Sequence, residues 1–548
     1  MEGKTMKKTM SMITTRVLSR VLAFAMVVAG FGIVAQSADA RGKIPVILQI
    51  TNNSTGTIEW PKVRSQDGDR ISFVSTGDVM GPATETVPRQ IYVYDYDGFE
   101  ANLGTMTQVT SDPVHSSYDA ARSTDDVFAS GRPDVIAFIS TADLDPADGV
   151  PIGDGNADGN PEVFLYHLTD DQGPIGTFTQ ITFSVAPVVN ANVYSSDSGK
   201  TFVFDSNGDY DGGILSVLPN APGGNPGGIT ENNPGTQFSN PDGSREIFKY
   251  TVVTTDSYPY DGNFTQVSDG PGGTSSTRPV IGGYWFPRQS QSTVYMSDYD
   301  QTGEGLRTGQ HIYLFHRPSA TNGAMVAPET PNGQPNNGIY ENPALSAASP
   351  FARGPFTVFT TDADLWNNGM LGIHQLYRYR IFHPRQTQYT AVSTGRILNP
   401  VVSDGGGLIV FQATGDVFNP AKVKDPHTYP TNADLNSEIF FQKGRRKITQ
   451  MTNTTVCVND MPSVRDDGTM IAFRSTCDLV PGSNPGGVEQ VFFYTQVKSK
   501  STLACTKPSV PCDCQIASGC INEANGLDLI RGRSLKPPKK NCLDKGNC

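Results

Sequence analysis

Three stretches of this chain place oxygen-bearing side chains at alternate positions and close on a carboxylate. They are Asn156-x-Asp158-x-Asn160-x-Glu162, Asn240-x-Asp242-x-Ser244-x-Glu246 and Asn432-x-Asp434-x-Asn436-x-Glu438. Such a ligand set suits a hard cation of flexible coordination, Ca2+ above all. The first stretch is the fullest, because Asp154 and Gly159 complete an Asp-x-Asn-x-Asp-Gly-x-x-Glu run. The same residue types also form Asx-turns ahead of a strand. Calcium ligation and plain turn chemistry therefore compete at all three places.

Other chemistry is thinner. Ser195-Ser196-Asp197-Ser198-Gly199-Lys200-Thr201-Phe202 has the form of a sialidase Asp-box, but it occurs once and falls at a turn position. There is no Gly-x-Ser-x-Gly elbow, no His-Glu-x-x-His pair and no phosphate-binding glycine loop. The seven histidines, His167, His374 and His427 among them, are dispersed. Cys512-x-Cys514 lacks a second ligand pair at the spacing of a zinc finger. A net charge of −12 argues against a nucleic-acid partner, since phosphate contact needs a basic surface.

The elements that position these residues repeat. Phe73, Phe138, Phe204, Tyr295, Phe359, Phe411 and Phe473 each precede an aspartate by five positions, and all but Phe73 follow an apolar residue. Each is followed by a polar–aliphatic–aromatic triplet: Gln90-Ile91-Tyr92, Glu162-Val163-Phe164, Glu246-Ile247-Phe248, His311-Ile312-Tyr313, Gln375-Leu376-Tyr377, Glu438-Ile439-Phe440 and Gln490-Val491-Phe492. Upstream stand a short strand and an Asp-Gly turn, as in Asn399-Pro400-Val401-Val402-Ser403-Asp404-Gly405. Downstream comes a fourth strand, as in Thr179-Gln180-Ile181-Thr182. Four antiparallel strands repeated radially make an all-β, seven-bladed β-propeller. The recurring aspartates then read as caps on the ends of strands.

The seventh unit lacks its own last strand, and Val46-Ile47-Leu48-Gln49-Ile50-Thr51 supplies the missing pattern from the front of the chain. Pairing of this segment onto the seventh blade would close the ring and remove an open sheet edge. Cys457 and Cys477 stand at equal distances from the turn at Asp466–Thr469, which places them opposite one another and predicts a disulfide.

Flanking segments differ in kind. Residues 1–40 combine a basic leader, an apolar run from Val21 to Ala35 and a small-residue site at Ala38-Asp39-Ala40, the pattern of a cleaved export signal. The run of about 15 residues is short of the roughly 20 that cross a bilayer. The propeller is assigned to 41–499, and no later stretch of the mature chain is apolar enough to span a membrane. Residues 500–548 hold Cys505, Cys512, Cys514, Cys520, Cys542 and Cys548 among Pro and Lys, as a tail tied by disulfides would.

The unit Asp-Gly-x-x-Ile-Ala-Phe, then Gln-Ile-Tyr, then Thr-Gln-Val-Thr, resembles the TolB-like propeller repeat, also called the WD40-like or PD40 repeat. Asp467–Val480 and Val135–Leu144 carry the resemblance most clearly, and it covers roughly 45–497. It implies a non-catalytic propeller used as a binding platform. The expected protein is therefore an exported scaffold, periplasmic or extracellular, that takes a protein or glycan. Its binding face would carry the long loops of blades two, three and six. The competing expectation is a propeller hydrolase or lyase acting on extracellular polysaccharide or peptide.

Overall fold

The computed structural model of the protein describes residues 43–499 and the pair 527–528. Within that span it leaves aside the loop segments 64–69, 123–134, 145–155, 211–239, 253–261, 283–291, 302–308, 326–337, 347–355 and 418–431, with some shorter pieces. The export signal, the cysteines of the tail and most of the long loops of blades two, three and six lie outside the described residues.

Seven four-stranded antiparallel blades follow one another along the chain. Their inner strands are Ile58–Val63, Ser117–Arg122, Asn190–Ser195, Ser276–Ile281, Tyr340–Leu345, Ile397–Val402 and Asn459–Val464. Each inner strand touches both neighbours, and the first meets the last, so the ring is closed. Closure runs through the front of the chain: Lys43–Gln49 pairs antiparallel with Gln490–Ser499, Ile47 opposite Tyr494 and Gln49 opposite Phe492. The pair Leu527–Asp528 adds to the far end of that same strand.

Every blade is built on one stacked aromatic pair. The recurring aromatic of the second strand lies directly opposite the aromatic of the triplet in the third, as Phe73 opposite Tyr92 and Phe411 opposite Phe440. In all seven blades the ring centroids are 5.6–6.0 Å apart and the planes are within 26° of parallel. The two sequence motifs are thus halves of one contact, buried between blades where apolar side chains of adjacent sheets meet.

Backbone ends are locked by short hydrogen bonds that recur. In each blade the residue before the inner strand donates its N–H to a side chain just past the second strand. Ser116 N donates to Thr141 Oγ1, Ser275 N to Asp298 Oδ1 and Val458 N to Thr476 Oγ1. The inner strand of blade seven begins at Asn459, directly after Val458, and just before them Cys457 is joined to Cys477 with Cα atoms 5.3 Å apart. No helix among the described residues is long and apolar enough to cross a membrane.

Candidate functional site: the channel mouth

The two ends of the ring differ. One end carries the tight turns between inner and second strands; we call it the hairpin face. The other carries the connections from second to third strand and from blade to blade, and is called the loop face. All three Asn/Asp stretches open toward the loop face.

In those stretches the carboxylates are engaged by protein donors. Glu162 Oε1 accepts from Ser184 N at 2.6 Å and Ser184 Oγ at 2.5 Å, and Oε2 from Thr182 Oγ1 at 2.5 Å and Asn190 Nδ2 at 3.1 Å. Burial pushes this carboxyl up to about 7, against the pull of those donors. Glu246 takes Gly270 N, Ser244 Oγ and Ser268 Oγ; Glu438 takes Thr454 N and Oγ1, Asn436 Nδ2 and Asn459 Nδ2. In blades one, five and seven a glutamine does the same work: Gln490 accepts from Asn53 N and Thr51 Oγ1 and donates to Asn53 O. The triplet's polar residue is a bracket that ties the end of the outer strand to the start of the third.

The Asn and Asp residues make the turns. Asp158 Oδ1 accepts from Asn160 N, and Asp242 Oδ1 from Ser244 N. Asn156, Asn240 and Asn432 each donate Nδ2 to the carbonyl four residues on. Asp434 occupies the corresponding turn of blade six, and Asp154 lies outside the described residues. Among the described residues no group of three or more His, Cys, Asp or Glu side chains is placed to hold a metal ion. Two of the recurring aspartates cap their loops: Asp478 accepts from Gly482 N, Ser483 N and Asn484 N, and Asp416 Oδ1 from Asn432 N. At the Asp-box, Gly199 N donates to Ser196 O on the hairpin face, as Gly406 N does to Ser403 O in blade six; Asp197 and Ser198 lie outside the described residues.

The feature sequence reasoning missed lies on the inner strands. The third residue of all seven has a positive φ: Trp60 44°, Asp119 54°, Asn192 53°, Arg278 51°, Asn342 51°, Asn399 45° and Met461 49°. Around each, two residues oppose one, as Glu59 pairs with Val74 and Lys62 with Ser72. This is a β-bulge repeated at one depth in every blade. Asn and Asp tolerate the left-handed region; Trp60, Arg278 and Met461 hold it against a cost on the order of 1–3 kcal/mol each. The sequence signal was proline: Pro61, Pro279, Pro343, Pro400 and Pro462 follow the bulged residue in five blades. A proline inside a strand marks a place where the ladder is already broken.

Six of the seven bulged residues, all but Met461, line a central cavity of about 240 Å³ to which all seven inner strands contribute. Around the ring they touch across blades. Trp60 N donates to Met461 Sδ at 3.3 Å, Asn192 N to Asp119 Oδ2 at 2.9 Å, and Arg278 Nη1 to Asn342 Oδ1 at 2.5 Å. Lys62 Nζ stands 5.4 Å from the centre of the Trp60 ring. Burial raises Asp119, with the Asn192 N–H and Lys62 opposing. Nearby Asp205 is fully buried; Arg245 Nε donates to its Oδ2, while Oδ1 has no hydrogen-bond partner. Burial outweighs Arg245 and pushes Asp205 up to about 6. His167 is elsewhere, buried against Thr179 and pushed down to about 4 by burial.

No family model matches the chain, and no curated protein matches it. Among solved structures it is similar to an oligogalacturonate lyase in complex with manganese, at 12% identity and a TM-score of 0.41, covering 83% of this chain and 98% of that one. The β-propeller domain of the Trilobed protease from Pyrococcus furiosus is similar at 7% identity and 0.40, over 81% and 94%. A putative TolB from Agrobacterium tumefaciens stands at 13% and 0.31, over 71% and 94%. Likeness of this degree carries no activity across.

Proposed function

We propose that this chain is an exported, non-catalytic propeller that captures a protein or glycan at the loop-face mouth of its channel. One observation carries the reading. Seven identical backbone bulges hold seven side chains at one depth, and those side chains differ: an indole, a guanidinium, a carboxylate, three carboxamides and a thioether. An invariant frame with a varied display is the arrangement of a recognition surface, and strained backbone is kept where it is used. The long loops of blades two, three and six leave from this same end.

Binding of the intact chain to glycan and protein arrays, repeated with Trp60→Ala, Arg278→Ala and Asn342→Ala, tests the reading. The ring variants should lose at least about tenfold in affinity, roughly 1.4 kcal/mol, with unchanged melting. Full affinity in all three would overturn it.

A hydrolase or lyase is the second reading, favoured by Asp119 on the cavity lining and Asp205 buried on the second strand behind it, two carboxyls whose burial favours the protonated form. Turnover on a polysaccharide and peptide panel, abolished by Asp119→Asn and Asp205→Asn, would establish it over the first.

A further inference from the structure

Nine large apolar side chains stand exposed among the described residues: Met80, Val114, Val189, Tyr299, Ile339, Leu371, Leu435, Val456 and Val458. Met80, Tyr299, Leu371 and Leu435 belong to second-to-third connections, and the other five to blade-to-blade crossings. All nine are therefore on the loop face, and the hairpin face has none among the described residues. Single exposed apolar groups are ordinary on any surface; confinement to one end of a symmetric ring is not. Both flanking segments depart from the other end, because Lys43 pairs with Lys498 at the hairpin face.

Among the described residues, exposed charge on the loop face is mostly acidic. Asp143, Asp158, Asp242, Asp269, Asp298, Asp434 and Asp478 are exposed there. The described arginines beside them are already committed: Arg89 to Glu59, Arg245 to Asp205, Arg396 to Glu341, and Arg474 to Asp460 and Glu489. We infer that the rim of the loop face is a docking surface for a polypeptide segment that is both basic and apolar. This rests on the binding-platform reading and adds the partner's chemistry. Apolar groups ringed by exposed carboxylates that face no described cation complement a segment in which Lys or Arg alternates with Leu, Ile or Phe. A second copy would set acid against acid, and an anionic bilayer would be repelled for the same reason.

The test is a selection from a random-peptide display library on the immobilised intact chain. Enriched peptides should be basic and apolar, and a synthetic peptide of the selected sequence should bind less tightly as salt rises. Leu371→Asp and Val456→Asp, both at exposed positions, should weaken it at least tenfold. Lys443→Asp on the hairpin face should leave it unchanged; peptides that ignore the rim variants yet lose affinity for Trp60→Ala would place capture on the ring instead of the rim, so that failure of the rim and failure of the ring are read separately. The proposal is overturned by enrichment of acidic or uncharged peptides, or by rim variants that bind normally. Dimerisation in light scattering that the rim variants abolish, or sedimentation with phosphatidylglycerol vesicles, would also overturn it.

Discussion

Glu162 shows how one residue position can be read two ways and what separates the readings. As the last member of an alternating oxygen series it is a cation ligand; as a side chain with both oxygens filled by Ser184, Thr182 and Asn190 it is a structural bracket. The neutral brackets Gln90, Gln375 and Gln490 hold the same place in other blades. Because Glu162, Glu246 and Glu438 are engaged by protein donors, adding Ca2+ to chelated protein is expected to leave the melting temperature unchanged in scanning calorimetry; a clear rise would favour the metal. The proton at Glu162 gives a second expectation. Its folded pKa, about 7, lies above the ordinary 4.5, so its contribution to stability is full below about 4.5 and lost as pH rises through 7. Glu162→Gln removes that loss. Its denaturant stability relative to wild type should improve by up to about 3 kcal/mol between pH 4 and 8, and parallel pH curves for the two proteins would refute the assignment.

At the scale of elements, the inner strands and the closing strand carry the specific predictions. Arg278 is exposed, in the left-handed region at φ 51°. Glycine there relieves the backbone, so Arg278→Gly should melt no lower than wild type while losing ligand capture, a separation that array binding and calorimetry read together. Closure depends on Thr51, whose hydroxyl donates to Gln490 Oε1 at 2.7 Å and accepts from Val491 N at 2.8 Å. Thr51→Val leaves the buried Val491 N without this acceptor, while Gln490 Oε1 keeps Asn53 N, at a cost of about 1–3 kcal/mol in urea unfolding. The Gln49-x-Thr51 spacing repeats Gln108-x-Thr110 and Gln180-x-Thr182, each glutamine donating to the carbonyl of its threonine. That is why the front of the chain was recognisable as an outer strand. The bulges were not, since the strand pattern was assigned by alternation and each bulge interrupts alternation for only one residue.

For the whole molecule, the ring converts local repetition into two unlike ends. Seven aromatic pairs make the blades equivalent, so deleting one should be felt as any buried aromatic deletion is: Phe411→Ala is expected to cost about 3–5 kcal/mol in denaturant unfolding. Closure pairs Lys43 with Lys498 at the hairpin face, while the loop face carries the exposed apolar side chains and aspartates of the described residues. Salt dependence of binding is a property of that entire face rather than of any single residue.

The amino-acid sequence by itself determined the blade count, the four-strand unit, the closing strand and the cysteine pair, because each is written in contacts between residues at fixed spacing. A strand with period two and a turn with its glycine need no knowledge of what lies across the ring. Only the tertiary structure decided that Glu162, Glu246 and Glu438 are engaged by neighbouring strands, that six bulged inner residues converge on one cavity, and that the exposed large apolar groups among the described residues face the same way. Those are relations between blades distant in the chain, set by how the sheets pack around an axis, and nothing local in the sequence encodes them.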